Sequence, residues 1–150
     1  MIVLSHRAAL ALAAVADIAM HSRPLPVAAK ALASRLDLPP RHLETLLQAL
    51  VRANILKGLR GPRGGYELAR ERRRITAGAV LRAVAGEGAH QDEESGGDLL
   101  KQVIAPMIES AGAAFLKELD GVTVEDICQR AEGLRLSAGG NGDAGADFAI

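Results

Sequence analysis

The clearest pattern of hydrophobic and polar positions in the chain lies between residues 40 and 53. Four leucines recur at spacings of three and four residues, which puts them on one side of a helix: Leu43, Leu46, Leu47 and Leu50. The opposite side carries polar and charged residues: Arg41, His42, Glu44, Thr45, Gln48 and Arg52. Such side chains can hydrogen-bond to phosphates and to base edges. The pattern predicts a helix from Pro40 to Ala53, with Asn54 as its stop.

Two shorter helices are predicted before this one. The first begins after Ser5, a favourable N-cap residue, and ends near Met20. A proline-containing connector separates it from the second helix, which the apolar spacing puts at Val27 to Leu36. The turn into the third helix is short and holds two prolines. Two helices joined in this way predict a helix-turn-helix.

In the segment that follows, apolar and polar residues alternate, and glycine and proline residues then indicate a turn. It predicts two strands, Ile55 to Arg60 and Tyr66 to Ala69, joined by a tight tip. Arg60 and Arg63 lie at this tip. Two cations on a narrow protrusion suit a groove lined with phosphates. The fold class predicted is therefore mainly α, a winged helix-turn-helix with a two-stranded β wing, followed by a C-terminal helix.

The second half of the chain also reads as helical. Thr76 is predicted to cap a fourth helix. A long apolar pattern then runs from Leu100 to Leu119 and ends at Asp120, and a last helix spans residues 124–134. Pro106 interrupts the long pattern, so either the helix kinks there or the proline opens its main part.

Charge divides the chain more sharply than its zero formal net charge suggests. Up to Arg82 there are fourteen Lys and Arg against five Asp and Glu; from Ala83 onward there are four against thirteen. The division favours a nucleic-acid-binding half joined to a half with another role, although two mutually attracting halves would give the same pattern. We expect a DNA-binding domain at 1–85, a flexible acidic loop at 86–97, helices at 98–134 and a disordered tail at 135–150.

Composition excludes several classes of protein. The hydrophobic content of 49% is sufficient for a hydrophobic core. The sequence contains no run of eighteen apolar residues, so a membrane span is not predicted. Cys128 is the single cysteine, which permits no internal disulfide and fits a reducing cytoplasm. No catalytic constellation, phosphate-binding loop or metal-ligand spacing is present, so neither an enzyme nor a metal protein is predicted.

At this point the chain resembles the Rrf2 family of bacterial transcription regulators. The most specific match is the wing, Arg60-Gly61-Pro62-Arg63-Gly64-Gly65-Tyr66, and matching segments follow in order over about residues 2–130. The resemblance implies a homodimer on double-stranded DNA, with a C-terminal dimerisation helix and 98–134 as the dimerisation helices. The third helix would enter the major groove and the wing the minor groove, with Arg60 as the wing arginine and Glu44 as the acid that reads or filters bases.

The expected DNA-contacting set joins the third helix, the wing and the start of the first helix: Ser5, Arg7, Arg41, His42, Glu44, Thr45, Gln48, Arg60, Pro62, Arg63, Gly64, Gly65 and Tyr66. The expected dimer interface lies on the long C-terminal helix: Met107, Ile108, Ala111, Phe115 and Leu119. A protein or small molecule would act as the effector.

The chain also departs from the family pattern. Many relatives bind an iron–sulfur cluster through three cysteines before the dimer helix, and here that stretch has none. We therefore expect no cluster and no other cofactor. Pro39 also replaces a serine that often caps the third helix in relatives.

Two other functions remain open at the level of sequence. The winged helix could act as a protein–protein adaptor, with the acidic loop as its contact surface. Alternatively, Cys128 or His90 could make the protein a thiol- or metal-responsive sensor, although a buried apolar role for Cys128 and a polar loop around His90 are the simpler interpretations.

Overall fold

The helix-turn-helix and the wing are both present, which confirms the predicted fold class. The computed structural model describes residues 5–85 and 96–134. In this part the elements are α1 (His6–His21), α2 (Ala29–Leu36), α3 (Pro40–Arg52), β1 (Leu56–Leu59), β2 (Gly65–Leu68), α4 (Ala77–Ala85), α5 (Ala105–Leu119) and α6 (residues 124–134). The predicted tail, and most of the predicted acidic loop including His90, lie outside the described residues.

Local hydrogen bonds explain where the first three helices begin and end. The Ser5 hydroxyl accepts a bond of 3.2 Å from the Ala8 N–H at the start of α1. Both α2 and α3 end at a residue in the left-handed conformation, Asp37 with φ 53° and Asn54 with φ 58°. After Asn54, the Ile55 N–H donates to the Leu50 carbonyl at 3.0 Å, as in a Schellman cap. The predicted stop at Asn54 is therefore confirmed.

The wing is an antiparallel hairpin that is fastened to the start of α2. Leu56 pairs with Leu68 at its base and Leu59 with Gly65 near its tip. The prediction that α2 begins at Val27 is wrong: Val27 forms a bridge with Tyr66, through bonds of 2.9 and 2.8 Å. The partner of Val27 lies far away in sequence, and this tertiary pairing overrides the local helical spacing.

The core joins all of the helices around α1 except α5. Its fully buried side chains include Ile18, Leu32, Leu43, Leu50 and Ile75. Val124 and Cys128 of α6 belong to the same cluster, each 1% exposed. The last helix is thus part of the core of the winged helix-turn-helix fold.

One buried ion pair connects the first two helices. Asp17 on α1 is only 8% exposed, and Arg35 on α2 donates to its carboxylate through Nε and Nη2 at 2.7 to 3.1 Å. The hydrogen bond to Asp17 is the main cause that raises the pKa of Arg35 above its ordinary value. This two-pronged contact fixes α2 against α1.

Pro106 lies just after a change in helical geometry. Leu100–Ile104 form a π-helical turn, in which the Ala105 N–H donates to the Leu100 carbonyl, and α5 continues from there. Proline offers no N–H to the carbonyl four residues earlier, and the wider turn accommodates this loss. The helical segment therefore continues from residue 98 to 119, and regular α-helix starts beside the proline.

Candidate nucleic-acid interface

The outward face of α3 presents a row of polar side chains. Its leucines are buried, whereas the predicted contact residues are all exposed: Arg41, His42, Glu44, Thr45 and Gln48. Within the described residues, the side chains of Arg41, Glu44 and Gln48 form no ion pair or hydrogen bond with another group. The Thr45 hydroxyl donates to the Arg41 carbonyl at 3.4 Å. This face is available to an external partner.

The first turn of α3 adds backbone donors to that face. Pro39 is the N-cap and provides no side-chain hydrogen bond, and Pro40 has no N–H. The N–H groups of Arg41 and His42 consequently lack acceptors inside the helix, as is usual for a first turn. Together with the positive end of the helix dipole, these groups favour an anion.

The wing presents its cations at the tip and closes tightly below them. Arg60, Pro62 and Arg63 are exposed, and Gly61 has a φ of 108° that favours glycine. Gly64 and Gly65 are half-buried, and a Cβ on either would collide with a backbone carbonyl, of Leu59 and Val27 respectively. These glycines thus bring the backbone close enough to hold the tip in position.

Tyr66 has a structural role as well as a position near the tip. Its backbone N–H donates to the Val27 carbonyl and its carbonyl accepts from the Val27 N–H. Its half-buried side chain packs against the core. DNA contact by Gly64, Gly65 and Tyr66 stays a prediction. What the geometry provides is a rigid base for the two arginines.

Two shallow grooves lie along α2. One lies between the start of α2 and the wing, and residues that line it include Ala28, Arg60 and Gly64. The other lies between α2 and the start of α3, and residues that line it include Lys30 and Pro40. α2 therefore borders one groove on the wing side and another on the α3 side.

Lys30 was not singled out from the sequence. It is exposed in the first turn of α2, where the helix dipole disfavours a cation. A lysine at such a position suits a nearby phosphate, and its unfavourable place in the helix was the available signal.

Two further segments, the start of α1 and the connector after the wing, hold polar residues that bond within the protein. Ser5 caps α1, and Arg7 is half-buried beside it. In the connector after the wing, Arg70 donates to the Asn54 carbonyl at 3.2 Å and Arg72 pairs with Glu125 at 2.6 Å. These contacts give Arg70 and Arg72 a structural role.

A second surface, on the helical segment 98–119, is apolar and exposed. Leu99 is 69%, Val103 53% and Met107 59% exposed, and Leu100 lies beside them. Of the predicted dimer residues, Met107 and Ala111 are exposed, whereas Ile108, Phe115 and Leu119 are half-buried. The most exposed apolar positions thus begin earlier in the chain than the predicted set, and that set stays a prediction.

Cys128 lies in a poor place for a sensor. Its side chain is buried on the side of α6 that faces the core, and its sulfur lies 4.0 Å from the carbonyl oxygen of Ala16 on α1. Burial raises the pKa of this thiol, and the neighbouring Arg72 opposes the shift only in part. The reactive thiolate is therefore disfavoured.

Comparison with known families identifies the type of protein. A model of the Rrf2 family, described as an iron-dependent transcriptional regulator, matches residues 4–130. A Synechocystis protein named as an HTH-type transcriptional regulator, slr0846, is 41% identical over 71 residues, which cover 47% of this chain and 48% of that protein. The transcriptional regulator IscR of Vibrio atlanticus is 36% identical over 74 residues, or 49% of this chain and 43% of its own. The chain thus matches about half the length of these curated relatives.

Solved structures are similar over much more of the chain. IscR of T. potens superposes with a TM-score of 0.68 at 31% identity, covering 87% of this chain and 89% of that one. CymR of B. subtilis, a global cysteine regulator, superposes with a TM-score of 0.63 at 27% identity, covering 85% and 96%. The similarity therefore extends beyond the DNA-binding half to the C-terminal helices.

Among the described residues, no group of side chains suits the iron that the family description mentions. The described residues contain no group of three or more His, Cys, Asp and Glu that could hold a metal ion. The sequence has one cysteine, and it is buried in the core. Because an iron–sulfur cluster requires several thiolates, the residues present do not fit one.

Among the described helices, none is long and apolar enough to cross a membrane.

Proposed function

The chain belongs to the Rrf2 family of transcriptional regulators, and we propose that it is a homodimeric repressor that binds a partly palindromic operator in double-stranded DNA. The family consists of regulators and not enzymes, which confirms the prediction that this chain is not an enzyme. We infer that it acts in the cytoplasm, without an iron–sulfur cluster, and responds to an effector that the chain does not identify.

The observation that carries this proposal is that α3 and the wing, which follow one another in the chain, both present exposed polar side chains. On the outward face of α3 the side chains of Arg41, Glu44 and Gln48 are exposed and unpaired within the described residues. The wing that follows α3 exposes Arg60 and Arg63 at its tip. A helix of this kind fits the major groove, where Arg, Gln and Glu side chains distinguish base pairs. An arginine on a narrow wing fits the adjacent minor groove, whose negative potential attracts it.

Dimerisation would supply the second half of the recognition. The exposed apolar side chains at 99–107 would be covered by the same helix of a second copy, because water makes such exposure unfavourable. Two subunits related by a two-fold axis would then contact two half-sites about one helical turn apart. Occupation of a promoter by such a dimer would exclude other proteins from it, which is the basis for proposing repression.

A binding titration tests the proposal directly. Fluorescence anisotropy would follow a labelled duplex carrying a site that the wild-type protein selects from a random library. A second duplex with a scrambled site serves as the control. We expect affinity for the selected duplex to fall about a thousandfold between 50 and 200 mM salt, as for neutralisation of about six phosphates. No binding at 50 mM salt, or a flat response to salt, would contradict DNA binding.

A further inference from the structure

The turn between α5 and α6 is fastened to the DNA-binding unit by backbone hydrogen bonds. The Ala77 N–H donates to the Val122 carbonyl and the Val124 N–H to the Ile75 carbonyl, each at 2.8 Å. Thr76 and Thr123 form a β-bridge between them. This ladder ties the start of α4 to the start of α6.

A side-chain clasp lies next to this ladder, at the C-terminal end of α5. Arg82 on α4 donates through both terminal nitrogens to Asp120, at 2.6 and 2.9 Å. This pair lowers the pKa of the Asp120 carboxyl below its usual range. Gly78, one turn before Arg82, is buried under the Asp120 carboxylate.

Gly78 is required by close approach. A Cβ there would collide with the Asp120 carboxylate and lie 3.0 Å from the Leu116 carbonyl of α5. Alanine would favour the helix itself by about 1 kcal/mol, so glycine at this position indicates that contact outweighs helix propensity. The Asp120 side chain would have to move aside to relieve the collision, and this shift disturbs its pair with Arg82.

The opposite end of the helical segment has few such contacts. Residues 99–103 and 107 are exposed, and none of the side chains of α5 is buried. The segment is therefore attached to the rest of the protein mainly at residues 116–123, near its C-terminal end. A small change of angle at this anchor moves the far end by several ångströms, since a helix rises about 1.5 Å per residue.

We propose that the clasp of Gly78, Arg82 and Asp120 sets the angle between α5 and the DNA-binding unit, and thereby the distance between the two recognition helices of a dimer. These are positioning residues, and they touch no base. The inference rests on the proposed function, because it needs a dimer on two half-sites. In a dimer with the wrong angle, one α3 can enter its groove while the other misses its half-site.

The test compares a full site with a half-site. The probes are the selected duplex and the same duplex with one half-site scrambled, each titrated by anisotropy. The variants are Asp120→Asn, which weakens the clasp at the surface, and Gly78→Ala, which forces it open. Matched controls are Glu132→Gln, an exposed acid on α6, and Gly133→Ala, where a Cβ would meet no atom within 4 Å.

We expect half-site affinity to be unchanged and full-site affinity to fall. The expected loss is about threefold for Asp120→Asn, as for an exposed ion pair, and about tenfold for Gly78→Ala, as for an overpacked contact. Inserting or removing one base pair between half-sites should also weaken the variants less than the wild type. Both controls should match the wild type.

Other results would overturn the inference. These are unchanged full-site affinity in both variants, an equal loss on the full site and the half-site, or a variant that light scattering shows to be monomeric. Equal wild-type affinity for full site and half-site would instead remove the dimeric repressor proposal itself, and this inference with it. The two failures are thus distinguishable from the wild-type titration alone.

Discussion

At the scale of single residues, Arg60 is the position where function and stability separate most cleanly. Its side chain is exposed at the wing tip, and no contact within the described residues depends on it. Arg60→Ala should therefore weaken binding to the selected duplex by about tenfold, which lies within the range of about 1–3 kcal/mol for loss of a direct arginine–base contact. The thermal midpoint should stay unchanged.

Arg130→Ala serves as the control for that substitution, because it removes an equally exposed arginine from α6. It should leave DNA affinity close to the wild-type value. A folded Arg60→Ala protein that binds as tightly as the wild type would remove Arg60 from the interface.

The opposite case is Arg35, whose role is structural. Arg35→Ala leaves the carboxylate of Asp17 buried without its guanidinium partner. We expect a loss of about 1–3 kcal/mol in the free energy of unfolding, at the lower end because Arg35 is itself partly exposed. Urea denaturation would measure it. Lys30→Ala on the same helix should change stability by less than about 0.5 kcal/mol, and an equal effect of both would argue against the buried pair.

At the scale of elements, α6 begins with a reciprocal cap that makes a prediction about pH. The Thr123 N–H donates to Asp126 at 2.9 Å, and the Asp126 N–H donates to the Thr123 hydroxyl at 3.1 Å. The backbone bond from Thr123 is the main cause that lowers the pKa of Asp126 below its ordinary value of 3.8. The charged form is thus favoured in the folded state.

A lowered folded-state pKa means that Asp126 stabilises the fold above the pKa of the unfolded chain, and that this contribution is lost as pH falls through the folded value. Asp126→Asn should therefore lower the thermal midpoint at pH 7 but not near pH 2. Melting curves followed by circular dichroism at both pH values would measure the difference. A deficit that persists undiminished at low pH would mean that the charge is not responsible.

The elements also show which parts of the fold were predictable from sequence. The α3 stripe and the glycine-rich wing tip are local signals, and both were located to within a residue or two. The Val27 bridge was missed because its partner is Tyr66, across two helices of intervening chain. The clasp at Gly78 was missed for the same reason, since one glycine in a helix does not indicate which segment approaches it.

The candidate site was predictable to a similar degree. The exposed residues of α3 and the wing arginines follow from periodicity and turn chemistry, and resemblance assigned their roles. Periodicity could not separate Gly64, Gly65 and Tyr66, which hold the wing in position, from Arg60 and Arg63, which present charge. That distinction depends on the close contacts that Gly64 makes with Leu59 and that Gly65 and Tyr66 make with Val27.

At the scale of the whole molecule, the last helix completes the core of the DNA-binding unit. Val124 is 1% exposed and packs in the cluster formed by the N-terminal helices. Val124→Asp would bury a carboxylate without a partner and should cost several kcal/mol, on the order of 3–5. The variant should lose its cooperative thermal transition and its DNA binding together, whereas Glu132→Asp on the exposed side should keep both. A cooperative Val124→Asp protein would show that α6 is dispensable.

Assembly is the other property of the whole molecule, and the exposed apolar side chains at 99–107 predict how to disrupt it. Met107→Glu puts a charge where a second copy would otherwise exclude water. Because Met107 is 59% exposed in the single chain, the substitution should not unfold the subunit. Light scattering at micromolar concentration should report a dimer for the wild type and a monomer for Met107→Glu.

Gln129→Glu adds the same charge to an exposed position on α6 and should remain dimeric. The monomeric variant should retain half-site affinity, because α3 and the wing are untouched, and lose the preference for the full site. A wild type that is monomeric, or a Met107→Glu variant that stays dimeric, would require a different surface for self-association. A monomer that kept the full-site preference would separate operator recognition from dimerisation altogether, since two half-sites can cooperate only when their subunits are joined.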